Sequence, residues 1–253
     1  ETMADVERAL GTSDDARLRL DIAAFLVRAR RAADASRVLA DLPGADRGSL
    51  LAIASLQLQG GDVDAAAENL ARARSVGAPD AAQWQLEGDI ALARNDSGAA
   101  RRAYQEAASA APDAIDPWLR LARVALVTGL PTTEFPGLAD RLNALERRHG
   151  EDVAVARTLA AFAVRAGDFA RAAQLLAPVR DAVALPAEYW LEYGRALSLQ
   201  SPPDPDRAAD AFRRARLAAP DRSDAVIAEA RARLDSGNAP EALGLCSAYL
   251  RDY

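Results

Sequence analysis

The 253-residue sequence has no lysine, one cysteine, one histidine and one methionine, and its aromatic content is 5%. Each scarcity closes a class of function. Cys246, alone, permits no internal disulfide and leaves the redox compartment open. One histidine and one distant cysteine cannot supply the clustered ligands of a zinc site, so no metal and no cofactor is expected. His149, in "ERRHGED", falls at the end of a helical pattern and reads as an inert surface residue. There is no phosphate-binding glycine loop, because "QGGDVD" sits between two helical patterns as a turn. "SPPDPD" (201–206) lacks a PxxP core with a basic neighbour and reads as a stiff turn insertion. No apolar run approaches the ~18 residues of a membrane span. A formal net charge of -6 disfavours nucleic acid and anionic membranes as partners. No catalytic residues emerge, and an enzyme is not expected.

Alanine, leucine and arginine, all strong helix formers, dominate what is present, while β-branched residues are sparse. The helical pattern repeats about every thirty-four residues. "WQLEGDIALARNDSGAARRAYQEAASAAPD" (84–113) aligns with "WLEYGRALSLQSPPDPDRAADAFRRARLAAPD" (190–221), the second being longer by two residues in its turn. Trp84, Gly88, Ala100, Tyr104, Ala107 and Pro112 match Trp190, Gly194, Ala208, Phe212, Ala215 and Pro220. A small residue recurs in every first helix: Ala23, Ala54, Gly88, Ala122, Ala160, Gly194 and Ala230. A second small residue opens each second helix, with a large apolar one four later; in the fourth copy Leu138 replaces the alanine. Turns such as "GGDVD", "RNDSG", "AGDFA" and "DSGNA" lie between the helices of a pair. Small residues let antiparallel helices cross closely, and the large residue fills the space between neighbouring pairs. Cys246 occupies that large-residue position and is expected to be buried.

These residues resemble the tetratricopeptide repeat (TPR) family over about residues 16–253. The resemblance implies an all-α, right-handed superhelix of about seven helix-turn-helix repeats, near 16–46, 47–80, 81–114, 115–152, 153–186, 187–222 and 223–253. The fourth departs from the pattern, because "LPTTEFPG" (130–137) lengthens its turn. Residues 1–15 read as the end of a preceding repeat or a flanking segment. The chain as a whole reads as a segment of a longer array. In "DPWLRLAR" (116–123), Asp116 is placed to cap a helix, while Trp118 and Ala122 repeat the packing positions of Trp84 and Gly88.

In such superhelices the first helix of each pair lines the concave groove, which the resemblance makes the expected partner-binding surface. Helical geometry then selects residues beside the crossing residue and pointing away from the second helix. Leu119, Arg123, Leu126, Arg157, Arg165, Leu191, Arg195 and Arg231 are the candidates, with Gln85, Asp89, Ile227 and Leu234 in equivalent places. Such a band suits an acidic, partly apolar segment of a protein partner. A carboxylate clamp of the chaperone-binding kind is not expected, since lysine is absent and the asparagines lie outside first helices. "DPWLRLARVAL" also resembles the periplasmic TPR arrays of bacterial exopolysaccharide export proteins of the cellulose and Pel types. That resemblance implies a non-catalytic periplasmic scaffold, with a biofilm role, recruiting an exopolysaccharide-modifying enzyme or synthase subunit. A cytoplasmic regulatory TPR domain and a direct glycan-binding module are the alternatives. The tryptophans at packing positions weigh against the last.

Overall fold

The computed structural model describes residues 16–39 and 46–252, so the expectation for residues 1–15 lies outside the described residues. Among the described residues every regular element is helical. The order is α1 (Ala16–Arg28), α2 (Ala32–Leu39), α3 (Arg47–Gln59), α4 (Val63–Val76), α5 (Ala81–Ala93), α6 (Ser97–Ala110) and α7 (Asp116–Thr128). After a 3-10 turn at Thr132–Glu134 come α8 (Leu138–His149), α9 (Val153–Arg165) and α10 (Phe169–Leu176), then a second 3-10 turn at Ala177–Val179. The last four are α11 (Ala187–Leu199), α12 (Pro205–Ala218), α13 (Ser223–Asp235) and α14 (Ala239–Asp252).

The chain divides into two compact units, residues 1–128 and 129–253, and the division falls just before "LPTTEFPG" (130–137). Within the first unit α1–α2, α3–α4 and α5–α6 form hairpins, and each stacks on the next, ending with α7 on α6. The second unit repeats the scheme: α8 lies on α9, and the hairpins α9–α10, α11–α12 and α13–α14 follow in order. Contacts between near neighbours, rather than one central core, hold each unit together.

One dipeptide makes most of the hairpin turns. Gly61, Asn95, Gly167 and Gly237 adopt left-handed backbone with φ of 86°, 61°, 77° and 82°, which ends the first helix. The next residue, Asp62, Asp96, Asp168 or Asn238, donates its N–H to the first helix, at the carbonyls of Gln57, Ala91, Ala163 and Arg233. Its side chain then accepts from an N–H three residues on, at Ala65, Ala99, Arg171 and Glu241, which starts the second helix. The first hairpin turns through Arg30 at φ 57° and has Arg31 where the others have the capping side chain.

The small crossing residues seat the large ones directly. A Cβ on Gly88 would lie 2.3 Å from Tyr104 Cε1, and one on Gly194 would lie 2.6 Å from Phe212 Cε1. Where alanine replaces glycine, leucine replaces the ring: Ala23 with Leu39, Ala54 with Leu70 and Ala160 with Leu176, all buried. So the large residue sits over the crossing point of its own pair as well as between pairs. Two expectations need correction. Cys246 is half-buried rather than enclosed, since no helix among the described residues follows α14 to cover it. Asp116 is the first residue of α7 rather than its cap, and the Ile115 carbonyl accepts from the N–H groups of Trp118 and Leu119. In the first turn its carboxylate still meets the positive end of the helix dipole.

Candidate partner-binding surface

Several arginines in this chain fasten one helix to another. Arg74 pairs with Glu87, Arg94 with Asp64, Arg120 with Asp89, Arg171 with Glu146 and Arg216 with Glu229. Arg123, Arg195 and Arg231 do not. Each is exposed, each stands one residue after a crossing residue (Ala122, Gly194, Ala230), and none has a hydrogen-bond or ion-pair partner among the described residues. Arg123 lies in the first unit, and Arg195 and Arg231 lie in the second.

The other candidates are engaged within the protein. Arg157 donates to both carboxylate oxygens of Glu192 on α11, at 2.8 and 2.6 Å. That hydrogen bonding holds its pKa above the ordinary guanidinium value against the opposing effect of burial. Arg165 rests 5.1 Å above the Phe162 ring, and its Nη2 donates to the Leu130 carbonyl at 3.3 Å. Leu119, Leu126 and Leu191 are half-buried, and Leu191 packs against the core of the second unit. Beside Arg231, Ile227 and Leu234 are 65% and 55% exposed.

Asp89 stands at the same position as Arg195, one residue after the crossing glycine, yet it is tied inward. It accepts the Tyr104 hydroxyl at 2.6 Å and a hydrogen bond from Arg120. Burial first, and then the neighbouring Asp89 carboxylate, push the Tyr104 hydroxyl above its ordinary pKa of 10.0. The sequence reading missed this tie. A buried tyrosine needs a partner for its hydroxyl, and that requirement was the available signal.

The tryptophans serve packing. Trp190 is buried edge-on against Tyr189 at 5.0 Å, with Arg214 4.6 Å over its ring. Trp84 is half-buried beneath Arg74, and half-buried Trp118 donates its Nε1–H to the Pro112 carbonyl at 3.0 Å. Ala100, Ala107, Ala122, Ala208 and Ala215 are fully buried, while Pro112 and Pro220 are exposed beyond the helix ends. Among the described residues no group of His, Cys, Asp and Glu could hold a metal ion, and no helix is long and apolar enough to cross a membrane.

Helical hairpins joined by recurrent capped turns and stacked on their neighbours define an α-solenoid of helix-turn-helix repeats. The tetratricopeptide repeat family model matches residues 86–145 and 204–253, which supports that family for this chain. TPR folds generally serve as scaffolds for protein–protein contact. Solved structures agree on the fold. Yeast Tom70 matches 98% of this chain at 15% identity with a TM-score of 0.68, and the chain spans 53% of Tom70. The C-terminal part of a TPR repeat-containing protein from Cytophaga hutchinsonii matches at 18% identity and a TM-score of 0.60, with 91% and 95% of the two chains covered. The MamA protein matches at 18% identity and a TM-score of 0.56, over 68% of this chain and 90% of its own. No curated protein matches the sequence significantly.

Proposed function

We propose that the chain is a non-catalytic scaffold that holds a protein partner against the exposed faces of its first helices, the lining of a concave groove. One observation carries this reading: Arg123, Arg195 and Arg231 recur at one repeat position, exposed and without partners among the described residues, while arginines such as Arg74 and Arg216 are tied to a carboxylate on the next helix. Leaving a cation unpaired at a fixed repeat position contributes nothing to the hairpin and provides a site for a carboxylate. A protein of the same fold, Cut9, is known in a hetero-tetramer with Hcn1; it matches 91% of this chain at a TM-score of 0.65, and the chain covers 46% of it.

The wider setting we propose is the periplasm, within a bacterial envelope protein for exopolysaccharide assembly or export that recruits a modifying enzyme or synthase subunit. The "DPWLRLARVAL" phrase and the lysine-free, alanine- and arginine-rich composition support it. The full reading frame tests the setting. A secretion signal upstream with amphipathic β-strands downstream agrees with it, and an attached DNA-binding or kinase domain refutes it. A pull-down tests the scaffold. Charge reversal at Arg123 and Arg195 is expected to release the partner, and unchanged capture would remove these residues from the surface.

A further inference from the structure

Arg195 and Arg231 occupy equivalent places in consecutive repeats, on helices α11 and α13, which touch. The exposed neighbours of Arg231 along α13 include an aliphatic residue on each side, with Asp235 beside the second. Ile227 stands one turn before it and Leu234 one turn after. Arg195 has half-buried Leu191 one turn before it and Leu199, 53% exposed, one turn after. Apolar groups around a cation lower the local dielectric, which strengthens its attraction for a carboxylate that displaces the water.

We infer that the α11–α13 face docks an acidic amphipathic helix of a protein partner. Its carboxylates meet Arg195 and Arg231, and its apolar side chains meet Ile227 and Leu234. The inference rests on the scaffold reading above and adds the partner's chemistry and local structure. Spacing selects a helix. Ile227 and Leu234 are seven residues apart on α13, a separation of about 10 Å along the axis. A docked helix reproduces that spacing with apolar residues seven apart, and its positions three and four after the first fall opposite Arg231. An extended segment covers the same distance in about three residues, and residues three apart point to opposite faces of a strand. The net charge of -6, with Glu188, Glu192 and Asp235 on the same two helices, confines the attraction to the two arginines, so it is short in range and sensitive to salt.

The test uses the full chain and a labelled, alanine-based helical peptide with leucines seven residues apart and glutamates three and four residues after the first. Fluorescence anisotropy is expected to show binding of this peptide, and none when lysine replaces the glutamates or serine replaces the leucines. Arg195→Glu and Arg231→Glu should each weaken it about tenfold, Ile227→Ser should weaken it too, and Arg148→Glu on α8 should leave it unchanged. The double reversal Arg195→Glu/Arg231→Glu should bind the lysine peptide instead, with helical circular dichroism unaltered. Equal binding of the two peptides, or indifference to the reversals, overturns the inference. Natural-partner capture that survives the double reversal also overturns it, and in that case the scaffold reading stands.

Discussion

In α5–α6 a glycine lies under Tyr104 and the next residue is Asp89; in α11–α12 a glycine lies under Phe212 and the next residue is Arg195. The tyrosine hydroxyl reaches across its own hairpin to Asp89, and Arg120 joins from α7. The phenylalanine has no hydroxyl to spend, and Arg195 is left without a partner. One oxygen atom therefore goes with a first-helix charge that is internal in one hairpin and available in the other. At this repeat position the charge is held inside the hairpin where Tyr104 faces Asp89, and stands exposed where Phe212 faces Arg195.

Truncating the ring should cost most in both hairpins. Tyr104→Ala and Phe212→Ala are each expected to destabilise by about 3–5 kcal/mol, read as a lowered denaturation midpoint. A loss far larger in one hairpin than in the other would break the likeness between them.

Filling the glycine comes next. Gly88→Ala and Gly194→Ala force a Cβ into the ring and should cost about 1–3 kcal/mol. Pairing each with Tyr104→Leu or Phe212→Leu recreates the alanine–leucine arrangement of the other hairpins, and should recover most of the loss in a double-mutant cycle.

Removing the oxygen tests the difference itself. Tyr104→Phe should cost about 1.5–3 kcal/mol, because it breaks one hydrogen bond to a charged acceptor. The same change should alter alkaline unfolding. The folded pKa of Tyr104 is raised above the ordinary 10.0, so the protein loses stability as pH climbs past that value; below it the contribution is complete. Tyr104→Phe should make the decline shallower in a pH series of thermal melts, with buried Tyr189 supplying the remainder. In the converse change, Phe212→Tyr should be tolerated better alongside Arg195→Asp than alone. Failure of that rescue would show that the two hairpins differ in more than one oxygen.

The smallest effect lies in the turns. Asn95→Gly should stabilise α5–α6 by about 0.5 kcal/mol, since asparagine there holds a positive φ that glycine adopts freely. In α11–α12 no residue of the longer turn has positive φ, so a glycine scan across it should give no comparable gain.

The helical hairpins were legible in the sequence because most rest on local signals: an alanine or glycine at a fixed spacing from a leucine or aromatic, and a Gly-Asp, Asn-Asp or Gly-Asn turn between them. These act within one hairpin, so a period in the sequence reports them directly. The same reading placed Trp84, Trp118 and Trp190 in the packing. The site was legible as a set of positions but not as a set of available charges. Arg157, Arg165, Arg195 and Arg231 look alike in the sequence. Glu192, the Phe162 ring and the Leu130 carbonyl engage the first two, and nothing among the described residues engages the others.

By itself, then, the sequence determined the helices, their turns and the seating of large residues on small ones, since short-range sterics and backbone hydrogen bonds decide these. Only the tertiary structure decided which charges are spent. Arg157 meets Glu192 35 residues away, and Arg120 meets Asp89 31 residues away, from neighbouring repeats. Whether two side chains satisfy one another depends on distance in space, which the stacking of hairpins sets and a repeat period does not report.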